Sequence, residues 1–349
     1  MRTHNCLSVG CLKSVIVFTL CELLFCGCSK KVSVDNDEQS FDLSGTFDKV
    51  LFSSVVDSVS YVEFEMTEES LIGIVGRVLF ANNKYFIQDI TSKSILVFDC
   101  SGKYLHKLSK YGQGPGEYIG MEAFCVDEED NIYVLDTSLK RILKYNIQGE
   151  FIEEVCNIED LPRSDIGYVN GQFLLCMPDY NNDQFRRGIF LLDPKTNKYN
   201  QIVKIEKKEG VLLQWYFQFN GQNSSTYYAL NNYDDLFYKI KDDKVILTRK
   251  ITVIPKRDEA TNEGYELVSC VETLKWDVMV GGSTQNSKYI FYNRETGECK
   301  ICDVDKLIND IDGAGVGFPL PIVFGNSIAT LIMESEDTEN PQLQIWHLK

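Results

Sequence analysis

The chain has 349 residues, of which 44% are hydrophobic, and its formal net charge at pH 7 is −16. This length is sufficient to bury a substantial core. The acidic balance argues against binding to nucleic acid or to anionic lipid headgroups. With only three histidines in the chain, a histidine-based catalytic triad or a His-rich zinc site is disfavoured.

The first 28 residues have the pattern of a targeting segment. Arg2 and Lys13 precede the apolar run SVIVFTLCELLF at 14–25, which is too short to span a membrane as a helix. Phe25-Cys26-Gly27-Cys28 follows, in the manner of a bacterial lipobox. We predict lipidation at Cys28, with a cleaved signal or an N-terminal anchor as alternatives. Residues 29–40 are predicted to be a flexible polar tether, and residues 41–349 a single domain.

The next feature is a repeat with a period of 47 residues. Six positions recur at this spacing, Asp89, Ile95, Phe98, Asp99, Gly102 and Leu105 matching Asp136, Ile142, Tyr145, Asn146, Gly149 and Ile152. A looser third copy contains Ile189, Leu192, Asp193, Thr196 and Tyr199. A fixed period in this range indicates copies of one supersecondary unit.

Each copy is predicted to form four short strands, because apolar residues alternate and Gly, Asn or Asp marks the turns. The strands of the first two copies are predicted at 78–80, 85–89, 95–99 and 104–108, and at 123–126, 131–136, 141–146 and 150–155. The third and fourth copies follow at 167–170, 173–177, 188–193 and 201–205, and at 213–219, 227–231, 236–240 and 245–251. A fifth copy is predicted at 267–271, 276–280, 289–293 and 300–304.

The C-terminal region supplies only three further strands, predicted at 320–323, 328–333 and 343–348. The segment Ser60 to Glu65 is available as the fourth strand. Sharing a blade between both ends of the chain would protect an open sheet edge. The predicted fold is therefore an all-β, six-bladed β-propeller of four-stranded antiparallel blades, closed by an N-terminal strand.

Seven cysteines lie beyond Cys28: Cys100, Cys125, Cys156, Cys176, Cys270, Cys299 and Cys302. Their odd number and scattered spacing indicate free, mostly buried thiols rather than a disulfide framework. Cys299 and Cys302 formally match C-x-x-C. On a strand, however, positions i and i+3 face opposite sides.

Loops on one face of a propeller are the default binding surface, because loops on a rigid scaffold carry function. Paired arginines can hold a carboxylate or sulfate, and aromatic side chains can stack on a sugar. The candidate ligand-binding residues on these loops are Gln113, Glu117, Tyr118, Tyr180, Arg186, Arg187, Trp215 and Tyr216. Glycines 112, 114 and 116 are interpreted as a tight crossing between blades rather than a phosphate loop, because no Lys-Ser/Thr follows them.

Three stretches resemble the six-bladed β-propeller lipoproteins of Bacteroides-type bacteria, whose blades are similar to NHL repeats. They are SVSYVEFEMTEESLIGIVG at 58–76, ILVFDCSGKYLHKL at 95–108 and YGQGPGEY at 111–118, and the terminal QLQIWHLK is similar as well. The resemblance implies the fold and a location in the cell envelope. Surface-displayed members often carry acidic residues after the lipidated cysteine. Here Ser29-Lys30-Lys31 follows, which favours the outer membrane facing the periplasm and leaves surface display open.

The expected function is a binding or interaction module for a glycan, a peptide or a partner protein, without catalysis or a cofactor. The alternative is a Ca²⁺-dependent hydrolase or lyase of the lactonase type, for which Asp89, Asp136, Glu117 and Asn181 are the candidate metal ligands. The recurrence of Asp89 and Asp136 at one blade position favours a structural role in the following turn. A third possibility is a structural subunit of an envelope complex.

Overall fold

The computed structural model describes residues 33–158, 165–177, 188–204, 217–219, 227–231, 236–241, 244–254, 265–283, 286–332 and 340–349. Within these ranges, none of the helical segments has the length and apolar character needed to cross a membrane. The predicted lipidation at Cys28 lies outside the described residues.

The N-terminal part contains three strands and one short helical turn: β1 (Ser33–Asp42), β2 (Val50–Leu51), a 3-10 turn (Phe52–Ser54) and β3 (Val56–Glu63). The repeats then provide twelve strands: β4 (Val75–Ala81), β5 (Lys84–Asp89), β6 (Ser94–Asp99), β7 (Tyr104–Leu108), β8 (Met121–Val126), β9 (Ile132–Asp136), β10 (Arg141–Tyr145), β11 (Phe151–Asn157), β12 (Asp165–Val169), β13 (Gln172–Met177), β14 (Gly188–Asp193) and β15 (Lys198–Lys204).

The C-terminal half continues in the same manner. It contains β16 (Phe217–Phe219), β17 (Tyr227–Asn231), β18 (Leu236–Lys241), β19 (Lys244–Ile254), β20 (Glu266–Glu272), β21 (Trp276–Ser283), β22 (Asn286–Asn293), β23 (Cys299–Asp303), a second 3-10 turn (Val304–Lys306), β24 (Leu307–Ile308), β25 (Phe318–Phe324), β26 (Ser327–Ile332) and β27 (Gln342–Leu348).

The described strands form a β-propeller with four-stranded antiparallel blades. Five sheets have four strands, in the orders β4–β7, β8–β11, β12–β15, β20–β23 and β25-β26-β27-β3. Their second and third strands are nearly continuous apolar runs, such as the fully buried β9, because neighbouring blades cover both faces. The outer β11 carries charged residues and is largely exposed.

The hydrophobic core lies between successive sheets. Leu79 and Phe86 of the first sheet pack in one cluster with Phe124 and Val134 of the second. Leu135 of the second sheet packs likewise with residues of the third. The first strands of the sheets also contact their neighbours, β4 with β8, β8 with β12, β12 with β16, and β25 with β16, β20 and β4. These inner strands surround the propeller channel.

The fourth predicted blade has one strand more than expected. It consists of β16–β19, and β1 pairs in parallel with its outer strand β19, so this sheet has five strands. The six four-stranded blades of the prediction are therefore corrected to five. The reason is that the outer edge of β19 offers unpaired backbone groups, and residues 33–42 occupy it.

The same observation corrects the prediction of a flexible tether at 29–40. Residues 33–40 belong to β1, whose Phe41 is buried and packs edge-to-face on Tyr292 with ring centroids 5.6 Å apart. At the other end of the chain, β3 pairs antiparallel with β27, for example Val59 with Trp346. This strand begins four residues earlier than the predicted Ser60 to Glu65.

Two faces of the propeller follow from the strand order. On the channel face, second strands end and third strands begin, as at Asp89 and Ser94 of the first blade. On the hairpin face lie the turns between first and second strands, such as Asn82 and Asn83. Cys299 is exposed and Cys302 is buried, so the two side chains face opposite sides as predicted.

Candidate functional site

The main feature of the channel face is an ion pair between inner strands of two different blades. Arg77 of β4 donates through Nη1 to Oδ1 of Asp165 on β12. The intervening inner strand β8 contacts both strands, so the pair joins the first and third blades past the second. Asp165 opens β12 and is paired with Cys176 near the end of β13, which places it at the channel face.

Arg77 lies in a bulge of its strand. Val75 pairs with Asp89 and Val78 pairs with Ile87, so β4 has one more residue than β5 between these two pairs. Bulges re-aim side chains and are over-represented next to active sites. The bulge interrupts the regular alternation at Gly76 and Arg77, and from this position the guanidinium reaches Asp165.

The thiol of Cys125 on β8 lies close enough to the pair to sense its charges. Burial raises the pKa of Cys125 well above its usual value, the Arg77 charge opposes this rise, and the Asp165 charge adds to it. The thiol is therefore protonated at neutral pH and is not a nucleophile.

Three exposed apolar side chains lie at the channel-face ends of strands close to Arg77. Ile74 is 62% exposed, and Ile90 and Phe318 are each 47% exposed. Ile74 and Ile90 are linked by a backbone hydrogen bond of 2.8 Å, and Phe318 opens the neighbouring inner strand β25, which contacts β4. We call Ile74, Ile90 and Phe318 the apolar rim.

The glycine-rich linker at 111–118 forms a turn on the same face, with a bridge between Tyr111 and Tyr118. The carboxylate of Glu117 accepts a hydrogen bond of 2.7 Å from the backbone N–H of Gly114. A Cβ on Gly112 would lie 2.1 Å from Oε2 of Glu117. The glycines are therefore needed because the Glu117 carboxylate fills the space beside them, which agrees with the predicted tight crossing.

The prediction of Tyr118 as a ligand-binding residue is corrected by its burial. Its ring is fully buried in the core between the first two blades. Its hydroxyl donates 2.8 Å to the carbonyl oxygen of Lys93. Gln113 is exposed and Glu117 is half-buried, so these two candidates lie at the surface of the channel face.

Asp89 and Asp136 cap the turns that follow their strands, as their recurrence predicted. Asp89 accepts from the N–H of Thr91 at 3.0 Å, and Asp136 from those of Ser138 and Leu139 at 3.1 Å each. Across the described part of the chain, no three His, Cys, Asp or Glu side chains come together as a metal site. Asp89, Asp136 and Glu117 therefore do not form a shared metal site among the described residues.

A second ionic cluster joins two neighbouring blades away from this face. Arg249 of β19 contacts Asp277 and lies 2.9 Å from Glu272, and Arg294 also contacts Asp277. Burial raises the pKa of Asp277, and the two arginines oppose the rise. Asp277 follows the β20–β21 turn, so this cluster belongs to the hairpin face and we interpret it as structural.

Five candidate ligand-binding residues, Tyr180, Arg186, Arg187, Trp215 and Tyr216, and the candidate metal ligand Asn181 lie outside the described residues. Sequence reasoning missed Arg77 and Asp165. One signal was present: Arg77 is the only charged residue in the otherwise apolar VGRVLFA of β4. Its partner could not be found from spacing, because the two residues belong to different repeats.

Comparisons with known proteins agree with the fold. Residues 38–343 match the family model described as a domain of unknown function, DUF4934. Among solved structures, a Bacteroides fragilis protein assigned as exported is 14% identical over 91% of this chain and 100% of its own, with a TM-score of 0.68. A DUF4221-family member from Bacteroides vulgatus is 11% identical over 84% of this chain and 97% of its own, with a TM-score of 0.54. Both likenesses show the fold alone. Among curated proteins, no significant match to this sequence was found.

Proposed function

We propose, from the premise that the chain belongs to the DUF4934 family, that this protein is a lipid-anchored propeller of the cell envelope that binds a ligand at its channel face. The ligand class is a glycan, a peptide or a partner protein. The observation that carries the proposal is the Arg77–Asp165 pair, which joins two blades at the channel face on the same face as the exposed apolar rim.

The pair supports a binding function for a physical reason. Ionic groups shielded from water cost free energy unless they are well paired, and an apolar core is frequently as stable without them. A solvated edge of exposed isoleucine and phenylalanine side chains adds no stability. Charged groups with an apolar border at the mouth of a channel are the arrangement expected of a ligand site.

We further propose that the five-stranded sheet counts as the sixth blade and that β3 closes the ring. The support is the pairing of β3 with β27 and the contacts of β25 with β4. For the location, the lipobox-like sequence at Cys28 supports an anchor at the outer membrane facing the periplasm. The B. fragilis structural neighbour is itself assigned as exported. Replacing Cys28 by Ser should release the protein from the membrane fraction and abolish labelling with a fatty-acid analogue.

The binding proposal is tested with glycan and peptide arrays on the full-length chain in detergent. The double variant I74S/I90S should lose capture, because it removes two side chains of the apolar rim. The matched control is L274S, since Leu274 is 74% exposed but lies at the β20–β21 turn on the hairpin face. Capture that survives in I74S/I90S and disappears in L274S would place the site on the hairpin face and contradict the proposal.

A further inference from the structure

Two lysines occupy the same position in the first two blades, in the channel-face loops between second and third strands. Lys93 directly precedes the third strand β6, and Lys140 directly precedes the third strand β10. Both residues are exposed. Both have a left-handed backbone, with φ of 53° at Lys93 and 57° at Lys140. Neighbouring blades therefore present an ammonium group from equivalent positions.

The left-handed backbone is unfavourable for lysine. Asparagine and aspartate tolerate it better, because their short polar side chains bond to the nearby backbone. In the described part of the chain, the other left-handed residues besides glycine are Asn82, Asn83, Asp130, Asn170 and Asn197. Lys93 and Lys140 are thus the exceptions, and residues kept in an unfavourable conformation cluster at ligand sites. The charge of the side chain, rather than its conformation, accounts for lysine at both positions.

The charges of Lys93 and Lys140 are available to a ligand. Within the ranges that the structure describes, neither lysine forms an ion pair. The carboxylates of their own loops, Asp89 and Asp136, are buried and accept backbone N–H groups of those loops instead. The chain as a whole carries a net charge of −16. An acidic ligand is therefore repelled by most of the surface and attracted at these lysines.

The glycine-rich linker lies between the two loops and connects them. The hydroxyl of Tyr118 donates 2.8 Å to the carbonyl oxygen of Lys93. Arg141, which follows Lys140, donates 2.7 Å to the carbonyl oxygen of Glu117. Because residues 117 and 118 are neighbours in the chain, both lysines border the same stretch of the linker. They can therefore contact one ligand that crosses it.

The linker also provides an aromatic group that suits a sugar. Nζ of Lys93 lies 3.7 Å from the centroid of the Tyr111 ring, and Tyr111 is 50% exposed. Aromatic rings stack on sugars, and ammonium groups form charge-assisted hydrogen bonds with anionic oxygens. We infer that the channel face binds an anionic glycan, whose carboxylate or sulfate groups pair with Lys93 and Lys140. This inference rests on the proposed function and specifies its ligand class.

The test is isothermal titration calorimetry on the full-length chain in detergent. The acidic probes are oligogalacturonate, which carries carboxylates, and dextran sulfate, and the one that binds identifies the anionic group. The neutral counterparts are methyl-esterified oligogalacturonate and dextran, which should bind at least about tenfold more weakly. Poly-L-glutamate has the charges without sugar rings and should also bind at least about tenfold more weakly. Added NaCl should weaken the binding of the acidic glycan.

The double variant K93N/K140N separates the charge from the backbone conformation. Its affinity for the acidic glycan should fall at least about tenfold. Its Tm should be equal to that of the wild type or higher, because asparagine tolerates the left-handed backbone.

The matched control is K103N/K195N, which also removes two positive charges. Both control residues are exposed, and they lie in the β6–β7 and β14–β15 turns, at the opposite ends of the third strands. This variant should bind the acidic glycan like the wild type. An equal loss in the two double variants would show that net charge alone governs binding, and would overturn the inference.

The same protein is applied to the glycan and peptide arrays so that two failures can be told apart. Capture of a neutral glycan or a peptide, without binding of either acidic glycan, would overturn the inference and leave the proposed function standing. Equal binding of poly-L-glutamate, or unchanged binding in K93N/K140N, would also overturn it. No binding of any probe or array ligand would overturn both. The comparison of the probes needs no variant, so it remains decisive even where a variant fails to fold.

Discussion

The side chain of Glu117 determines that residue 112 must be glycine. Gly112 leaves the space in which the Glu117 carboxylate meets the linker backbone. We expect G112A to lower the free energy of unfolding by about 1–3 kcal/mol, because the added methyl group overpacks a filled site. The measurement is urea denaturation. The control is G315A, since a Cβ at Gly315 meets no atom within 4 Å. An equal loss in both variants would disprove the steric explanation.

The engagement of Asp89, Asp136 and Glu117 leads to a prediction about calcium. Each carboxylate already accepts backbone N–H groups of its own loop, and binding Ca²⁺ would require these bonds to break. We therefore expect the Tm of the full-length chain to be the same in millimolar Ca²⁺ and in chelator. A clear Ca²⁺-dependent rise, which a ligand specific to the native state would produce, would instead favour the hydrolase or lyase alternative.

Asp303 holds a buried lysine at the outer edge of its blade. Lys288 is 1% exposed and lies 3.2 Å from Asp303, which also contacts Lys306 at 2.6 Å. Removing the acidic partner of a buried ammonium is expected to be strongly destabilising. We expect D303N to cost roughly 2–4 kcal/mol, measured by urea denaturation at pH 7. D305N is the control, because it removes the same charge from an exposed position two residues away.

The pH dependence of D303N gives an independent check. The hydrogen bond from Lys306, followed by that from Lys288, lowers the pKa of Asp303. A lowered pKa in the folded state means that the contribution of Asp303 is present above its unfolded value of about 3.9 and is lost as the pH falls through the folded value. The difference in stability between wild type and D303N should thus shrink below about pH 4. A difference that is constant down to pH 2 would exclude the ion pair as its cause.

At the scale of the element, the N-terminal strand β1 behaves as part of the fold. Its residue Phe41 packs with Ile251 and Val253 of β19 in one buried cluster. We expect F41A to cost about 3–5 kcal/mol and to increase hydrogen exchange of the β19 amides. The control is I254A, because Ile254 ends β19 and is 45% exposed. If exchange in β19 is unchanged in F41A, β1 does not protect this edge.

The contrast between β9 and β1 shows which elements the sequence could predict. Strand β9 was predicted at 131–136 and lies at Ile132–Asp136, because its burial by two neighbouring blades produces a local apolar pattern. Strand β1 has the polar sequence SVDNDEQSFD. It is held by backbone pairing to an edge some two hundred residues away, for which no local pattern exists. The polar character of such a segment is typical of a tether, which is why its prediction was wrong.

The candidate site was less predictable for the same reason. Loop residues such as Gln113 and Glu117 could be placed on the channel face from the strand order alone. The bulge at Gly76 and Arg77 depends on the register between β4 and β5, and the partner of Arg77 comes from the third blade. A contact between side chains of two different repeats does not recur at the 47-residue period, so the sequence pattern cannot predict it.

At the scale of the whole molecule, β3 and β27 connect the two ends of the propeller sequence. Ser58 is directly opposite His347 in this pairing, and Ser327 is opposite the same His347 on the other side. Two disulfides can therefore be compared that share residue 347. S58C/H347C would close a loop of most of the chain, whereas S327C/H347C would close only one hairpin. Cys100 and Cys299 are exposed and are replaced by Ser in both variants to prevent mispairing.

If the pairing of β3 with β27 closes the ring, the long-loop disulfide should stabilise the whole propeller more than the short one. A cross-link restricts the unfolded chain in proportion to the logarithm of the loop length, which predicts an advantage of about 2 kcal/mol for S58C/H347C. The measurement is the change in unfolding free energy between the oxidised and reduced forms of each variant. Reduction of the disulfide restores the conformational entropy of the unfolded chain. The reduced form of each variant is therefore the control for its oxidised form. Equal gains for both loops, together with a first unfolding transition that leaves the other blades intact, would show that the two ends do not close a cooperative ring.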